Sequence, residues 1–462
     1  MLPTALLYIL AAQGPQEYKE PYRPQFHFTS KTNWLNDPNG LVFYKGTYHL
    51  FFQHNPIGNQ WGNMTWGHAE SQDLVHWKQL PDAIQPDALG TIFSGSAVVD
   101  WRNTTRFQQG KETTLVAIYA CAGDTSPESK GKPFTQCLAC STDAGKTWSK
   151  FAGNPALPQV APGNRDPKVI WYSSKGDWIM ALYLEAHDYA LFASPDLKHW
   201  RQLQRFTFPG ASECPDFFEI PVANAKGEKK WVFVSASGEY LVGSFDGARF
   251  TPEQGGLKMD QGTNFYAVQT YSDIPPKDGR RIQIAWMSGG SYPGMPFNQQ
   301  MSFPCELKLF KSQEGYRIHR WPVREIRGLN EETFTLHDKQ LLPGTNLLSS
   351  FKGDLWDITM DVSPQTAAQI FFGFRGMKLT YDVPSQMLRW ADHTIPMPLV
   401  EGHLKLRILI DRTSFELFGN DGERSCTCCF LPIQEDKSLL LTATGGAANA
   451  HRIKVIRLKS GW

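Results

Sequence analysis

The chain carries no excess of either charge: 46 Lys and Arg stand against 45 Asp and Glu, a formal +1 at neutral pH. Neither nucleic acid nor an anionic membrane finds a complementary field on such a composition, so the expected partner is neutral. Apolar runs long enough to span a bilayer are missing as well. The one short run, MLPTALLYILAAQG, ends in small residues as a secretory leader does, but lacks the positive residues that normally precede it. Residues 1–21 are therefore expected to be a leader of atypical form on a secreted or periplasmic protein. Paired metal-ligand spacings are also wanting. Cys137 and Cys140 make half of a zinc pattern with no second pair at a suitable distance, and His54 and His68 have no ligand partner in sequence. Helical periodicity is nearly absent.

What the chain does have is aromatic residues, 13% of the total with 15 Trp, and a repeat. SQDLVHW from Ser71, STDAGKTW from Ser141, SPDLKHW from Ser194 and SFDGARF from Ser244 echo one another at roughly fifty to seventy residues. Each reads as a tight turn in which Ser and Asp bond the local backbone and an aromatic closes on the core. Before each come strand-like segments joined by short turns, as in LVFYKGTYHLFFQ and KVIWYSSKGDWIMALYL. A fifth unit, from FYAVQTY to MSFPCELKLF, has the strands without the echo. Short strands repeating at this period predict a five-bladed β-propeller over residues 22–325. Residues 326–341 read as a linker. Beyond it, Trp356, Ile358, Met360 and Val362, then Leu404, Leu406, Ile408 and Ile410, alternate with polar neighbours. Half-buried strands of that kind predict an antiparallel β-sandwich over 342–462, so the whole chain is expected to be all-β.

Three acids stand at the starts of blades. The first strands open with NDPNG (Asp37), FSGS (Ser94), RDPKV (Asp166), ECPDF (Glu213) and FYAVQ (Tyr266). Alone, NDPNG is an ordinary β-turn sequence. In a propeller, however, all first strands enter the central channel from one end, which brings Asp37, Asp166 and Glu213 into one pocket. Acids held that close repel one another, a cost that a reaction can use. With a neutral polar partner, paired carboxylates point to glycoside hydrolysis. Asp37 suits the nucleophile, because the free N–H groups of its turn stabilise an anion. Glu213, with its longer reach, suits the acid that protonates the departing oxygen. Asp166, beside Arg165, is expected to stay charged and hold sugar hydroxyls.

The motifs WLNDPNG, RDPKV and ECPDF, in that order, resemble the three signature motifs of glycoside hydrolase family 32, the group of invertases, inulinases and levanases. The resemblance covers propeller, linker and sandwich. It implies retaining hydrolysis of β-fructofuranosides, with Asp37 as nucleophile, Glu213 as acid/base and Asp166 as transition-state stabiliser. It further implies that Asn36, Gln53, Trp61, Phe93, Ser94, Arg165 and Trp286, with Asp260 as an addition, line the terminal fructose site, and that neither metal nor organic cofactor takes part. Without it, Trp61 and Trp286 would be read as core, Gln53 as an exposed polar residue and Cys214 as a packing neighbour. Three departures bear on substrate: Ser212 stands where many relatives carry Trp, Asn264 where many carry Asp, and the loop near 287–300 is short. An open rim favours fructans, of levan or inulin type, over sucrose alone. A fructosyltransferase with the same three acids, a non-catalytic sugar-binding propeller and an inverting arabinan-type hydrolase are the competing readings.

Overall fold

The computed structural model describes residues 18–462. The chain folds as seven antiparallel sheets with three short 3-10 turns among the described residues. Five sheets occupy the first part, each a four-stranded meander in chain order. Their first strands are Asn33–Tyr44, Thr91–Val99, Arg165–Tyr172, Asp216–Pro221 and Tyr266–Thr270. These strands touch in sequence, first to second through fourth to fifth, and the fifth returns to the first. The strand Phe297–Asn298 adds a parallel edge beside Asn33 and Trp34. The sheets bury apolar layers between them because their inner strands are apolar on both faces, as in LVAIYACA at 115–122, buried throughout.

The repeated turns, read from sequence as turns between strands, lie between the third and fourth strands of the first four sheets. Asp73 accepts backbone N–H groups of Val75 and His76, and Asp196 those of Lys198 and His199. The closing Trp77, Trp148 and Trp200 each donate an indole N–H to a carbonyl three residues back. Each turn thereby satisfies its own backbone and inserts a ring between sheets.

The second part is two sheets over one core. One has six strands in the spatial order Asn330–Leu341, Ala448–Leu458, Trp356–Ser363, Leu404–Ile410, Ser414–Gly419 and Arg424–Cys429; the other has five. The two alternating runs expected to face a core, Trp356 to Val362 and Leu404 to Ile410, do so. The opposite face of the six-stranded sheet, through Leu409, Phe418 and Ile456, packs on Phe26, Phe28 and Phe303 of the first part. At this junction the buried His27 lies between Asp411 (2.9 Å) and Glu416 (3.1 Å). All eight cysteines are free thiols.

Two boundaries differ from the sequence reading. Residues 326–341 are not a free linker: after the 3-10 turn Arg324–Leu329, Asn330–Leu341 is a twelve-residue strand paired with Ala448–Leu458. It is an edge strand, largely exposed, whose hydrophobic alternation is confined to Phe334 and Leu336 and is too short to betray it. The leader expectation falls for residues 1–17 outside the described residues. Residues 18–21 belong to the folded body, where Tyr18 stacks on Trp462 at 4.1 Å and Glu20 pairs with the buried Arg23.

Candidate active site

The starts of the five inner strands surround a cavity of about 280 Å³, the size of one or two sugar rings. Asp37 lies within the first strand, where the register slips between Leu35 and Pro38 and again between Asn39 and Val42. Such bulges re-aim a side chain. Asp37 accepts from Ser94 Oγ (2.5 Å) on one oxygen and from Asn36 Nδ2 (2.9 Å) on the other. Asn36 is itself held by the indole of Trp34 at 2.8 Å. Asp166 opens the third strand and Glu213 precedes the fourth. Asp166, Glu213 and Cys214 all have left-handed backbones, with φ of 62°, 53° and 36°. For non-glycine residues this strain costs about 1–3 kcal/mol each and persists only where the surroundings fix it.

Arg165 faces its neighbour Asp166 but makes its hydrogen bonds to Glu213. Its guanidinium donates to Glu213 Oε1 at 2.6 and 3.2 Å and comes no closer than 3.8 Å to Asp166. The left-handed turn at Asp166 lets both side chains line the cavity, while Arg165 reaches across to the acid that precedes the next sheet. Tyr266 donates its hydroxyl to the other Glu213 oxygen. Asp166 instead accepts the backbone N–H of Cys214 at 3.0 Å, and the Cys214 thiol lies 3.5 Å from Asp166 and 3.6 Å from Asp37.

Three carboxylates around one guanidinium leave excess negative charge in a poorly hydrated place. Burial lifts Asp166 to about 7; Arg165 opposes the rise, while Glu213 and Asp37 reinforce it. This reverses the sequence expectation that Asp166 is the acid most sure to stay charged. Burial also raises Asp37, against the donors Ser94 and Asn36 and with the charge of Glu213. Burial, then the neighbouring Asp166 and Asp37, keep the Cys214 thiol protonated far beyond neutrality. Cys214 is therefore a weak donor to carboxylates and not a nucleophile.

The rest of the wall is polar inside and aromatic at the mouth. Gln53 is buried with its amide nitrogen unpaired, a donor left for a ligand. Trp61, 56% exposed, meets Phe93 edge-on, and Phe93 is held by the indole of Trp66 on its carbonyl. Trp286 forms the opposite side, its indole fixed by Gln299 at 3.0 Å. The cavity thus gathers Asn36, Asp37, Gln53, Trp61, Phe93 and Ser94 from the first two sheets, and Arg165, Asp166, Glu213 and Trp286 from the others. Asp260 is not among them. It is fully buried away from the cavity, paired with Arg320 and accepting from Thr427 Oγ1 at 2.8 Å. Its position before FYA matched the site, but nothing local distinguishes an acid aimed at the cavity from one aimed at a distant arginine. Tyr266 and Cys214 are the lining residues absent from the predicted site; the place of Tyr266 at a first-strand opening and of Cys214 beside Glu213 were the available signals.

A sugar-sized cavity with three carboxylates, fixed amide and hydroxyl donors and an aromatic mouth defines a glycoside hydrolase. Residues 27–322 match the model of the glycosyl hydrolases family 32 N-terminal domain, and residues 323–457 that of the family 32 C-terminal domain. The chain belongs to glycosyl hydrolase family 32. It is 40% identical to a levanase of Bacillus subtilis over 96% of this chain and 72% of that protein. It is 32% identical to an extracellular exo-inulinase of Aspergillus ficuum over 96% of both. Among solved structures, the exo-inulinase of Aspergillus awamori superposes with a TM-score of 0.86 at 28% identity, covering 97% of this chain and all of that one. The fructofuranosidase of Schwanniomyces occidentalis complexed with fructose gives 0.85 at 25% identity, covering 96% and 100%.

Proposed function

We propose that the protein is a secreted, retaining β-fructosidase that cleaves terminal fructose from fructans. The first part is read as a five-bladed propeller ending near residue 322, and the sandwich as beginning at about 330. The convergence of Asp37, Asp166 and Glu213 on one cavity carries the reading. Asp37 attacks the anomeric carbon, with Ser94 and Asn36 presenting its carboxylate. Glu213, with its side chain 32% exposed against 7% for Asp166, gives its proton to the departing oxygen. A covalent fructosyl-enzyme results, and Glu213 then takes a proton from the water that displaces Asp37. Asp166 holds ring hydroxyls as positive charge develops. Gln53, on the cavity wall with its amide nitrogen unpaired, offers a donor to a sugar hydroxyl.

The substrate class follows from the rim. Trp61 and the nearby Ile57, 78% exposed, extend an apolar ledge at the mouth of the cavity. Such a ledge suits the remainder of a polymer, and the names of the levanase and exo-inulinase relatives support the same reading. Export is supported by the extracellular exo-inulinase. The test is a product profile on levan, inulin and sucrose with the anomer of first-released fructose read by NMR. Free β-fructose as first product supports the proposal. The α-anomer, or oligosaccharides dominating at high sucrose, would overturn it in favour of inversion or transfer.

A further inference from the structure

The sandwich reaches the active site through its edge strand Arg424–Cys429. Cys426 and Cys428 point into the sandwich core, while Ser425, Thr427 and Cys429 face the first part. Against this edge lies the segment leading to Tyr266. Gln261 N–H donates to Ser425 O (2.8 Å), Asn264 N–H to Thr427 O (3.0 Å), and Thr427 N–H to Asp260 Oδ1 (3.1 Å). The approach is close enough that a Cβ on Gly262 would sit 2.2 Å from the Thr427 backbone. At the end of the contact, Asn264 Oδ1 accepts the N–H of Cys429 (2.8 Å), and its Nδ2 donates to the carbonyl of Ser288 (2.5 Å). Tyr266, which holds Glu213, is two residues from Asn264; Trp286 is two residues from Ser288. Their rings meet edge-on, with centroids 6.2 Å apart.

The wall needs such an anchor. Ala267 has a left-handed φ of 51°, and the pairing of Tyr266–Thr270 slips between Tyr266 and Gln269. A strained opening of this kind relaxes unless its neighbours over-determine it. We propose that Asn264 is a positioning residue, through which the sandwich strand holds Tyr266 and Trp286 in register with Glu213. The sandwich is then part of the active-site scaffold as well as a cap. The proposal rests on the role given to Glu213, and its test separates the two.

The experiment compares wild type, Asn264→Ala, Asn264→Asp and His403→Ala, the last breaking the remote His403–Asp361 pair in the sandwich. Amide hydrogen exchange reads residues 264–268 and 286–290 directly, and kcat and KM are measured on levan. Asn264→Ala is expected to speed exchange in both segments and to lower kcat/KM, each by on the order of tenfold. Asn264→Asp keeps the acceptor for Cys429 but loses the donor to Ser288, so it should raise KM through Trp286 with kcat nearly kept. His403→Ala should move neither segment. Unchanged exchange in Asn264→Ala, or loosened segments with kcat/KM within about twofold of wild type, would overturn the positioning role. A wild type inactive on every fructoside would overturn the assignment of Glu213; the exchange comparison would still decide whether Asn264 anchors the wall.

Discussion

Replacing Ser94 by Ala tests how the site prepares Asp37. Ser94 is 5% exposed and supplies the one strong donor to Asp37 Oδ2, at 2.5 Å; the Cys214 thiol at 3.6 Å is a poor substitute. A hydrogen bond to a charged group contributes about 1.5–3 kcal/mol. If that stabilisation is lost where the carboxylate must attack, kcat/KM falls by about 10- to 150-fold at 1.36 kcal/mol per decade. The pH dependence has a definite sign. Ser94 opposes the rise that burial imposes on Asp37, so its removal raises the Asp37 carboxyl further. The reactive anion then forms only at higher pH, and the acid limb of kcat/KM moves upward. The assay is initial-rate kinetics on sucrose and levan across pH, with thermal unfolding to confirm that the variant folds. A folded Ser94→Ala enzyme with kcat/KM within about twofold of wild type and an unmoved acid limb would refute the reasoning.

Four further outcomes follow. Trp61→Ala removes the exposed ledge but no acid, so KM for levan should rise severalfold with kcat nearly kept, as steady-state kinetics will show. Asp166→Asn should abolish turnover, yet lose less stability than wild type as pH rises. Asp166 is raised from 3.8 to about 7 by burial, so the native protein gives up stability as pH climbs through that interval, and unfolding midpoints at pH 4 and pH 8 measure it. His27 has the opposite sign. Burial disfavours its charge, but Asp411 and Glu416 prevail and lift it from 6.5 to about 9. Its contribution is complete below pH 6.5 and fades as pH passes 9, a decline in melting temperature that His27→Gln should flatten. Asp260→Ala leaves Arg320 buried and unpaired at a cost of about 3–5 kcal/mol, seen as an earlier denaturant midpoint.

Much of the site was legible because each acid sits in a short turn-rich motif at the head of a strand, and the repeat of sheets tells where such heads meet. Asp37, Asp166 and Glu213 are far apart in sequence yet need no long-range information beyond that period. What stayed hidden depends on direction and on distant partners. Arg165 adjoins Asp166 in sequence but reaches Glu213, and Asp260 answers to Arg320 and Thr427. The cluster CTCC at 426–429 makes sense only once the strand is seen between two surfaces, with alternate residues serving the sandwich core and the active-site wall. Asn330–Leu341 concealed itself by being largely exposed, with only Phe334, Leu336 and Leu341 apolar, since an edge strand owes its place more to pairing than to burial.

The most direct test of the central claim is to quench the enzyme in acid during turnover of sucrose or levan and map its peptides by mass spectrometry. A hexosyl adduct on the peptide bearing Asp37, absent from Asp37→Asn, is the result the account predicts. An adduct on another acid, or full turnover by Asp37→Asn, would contradict it.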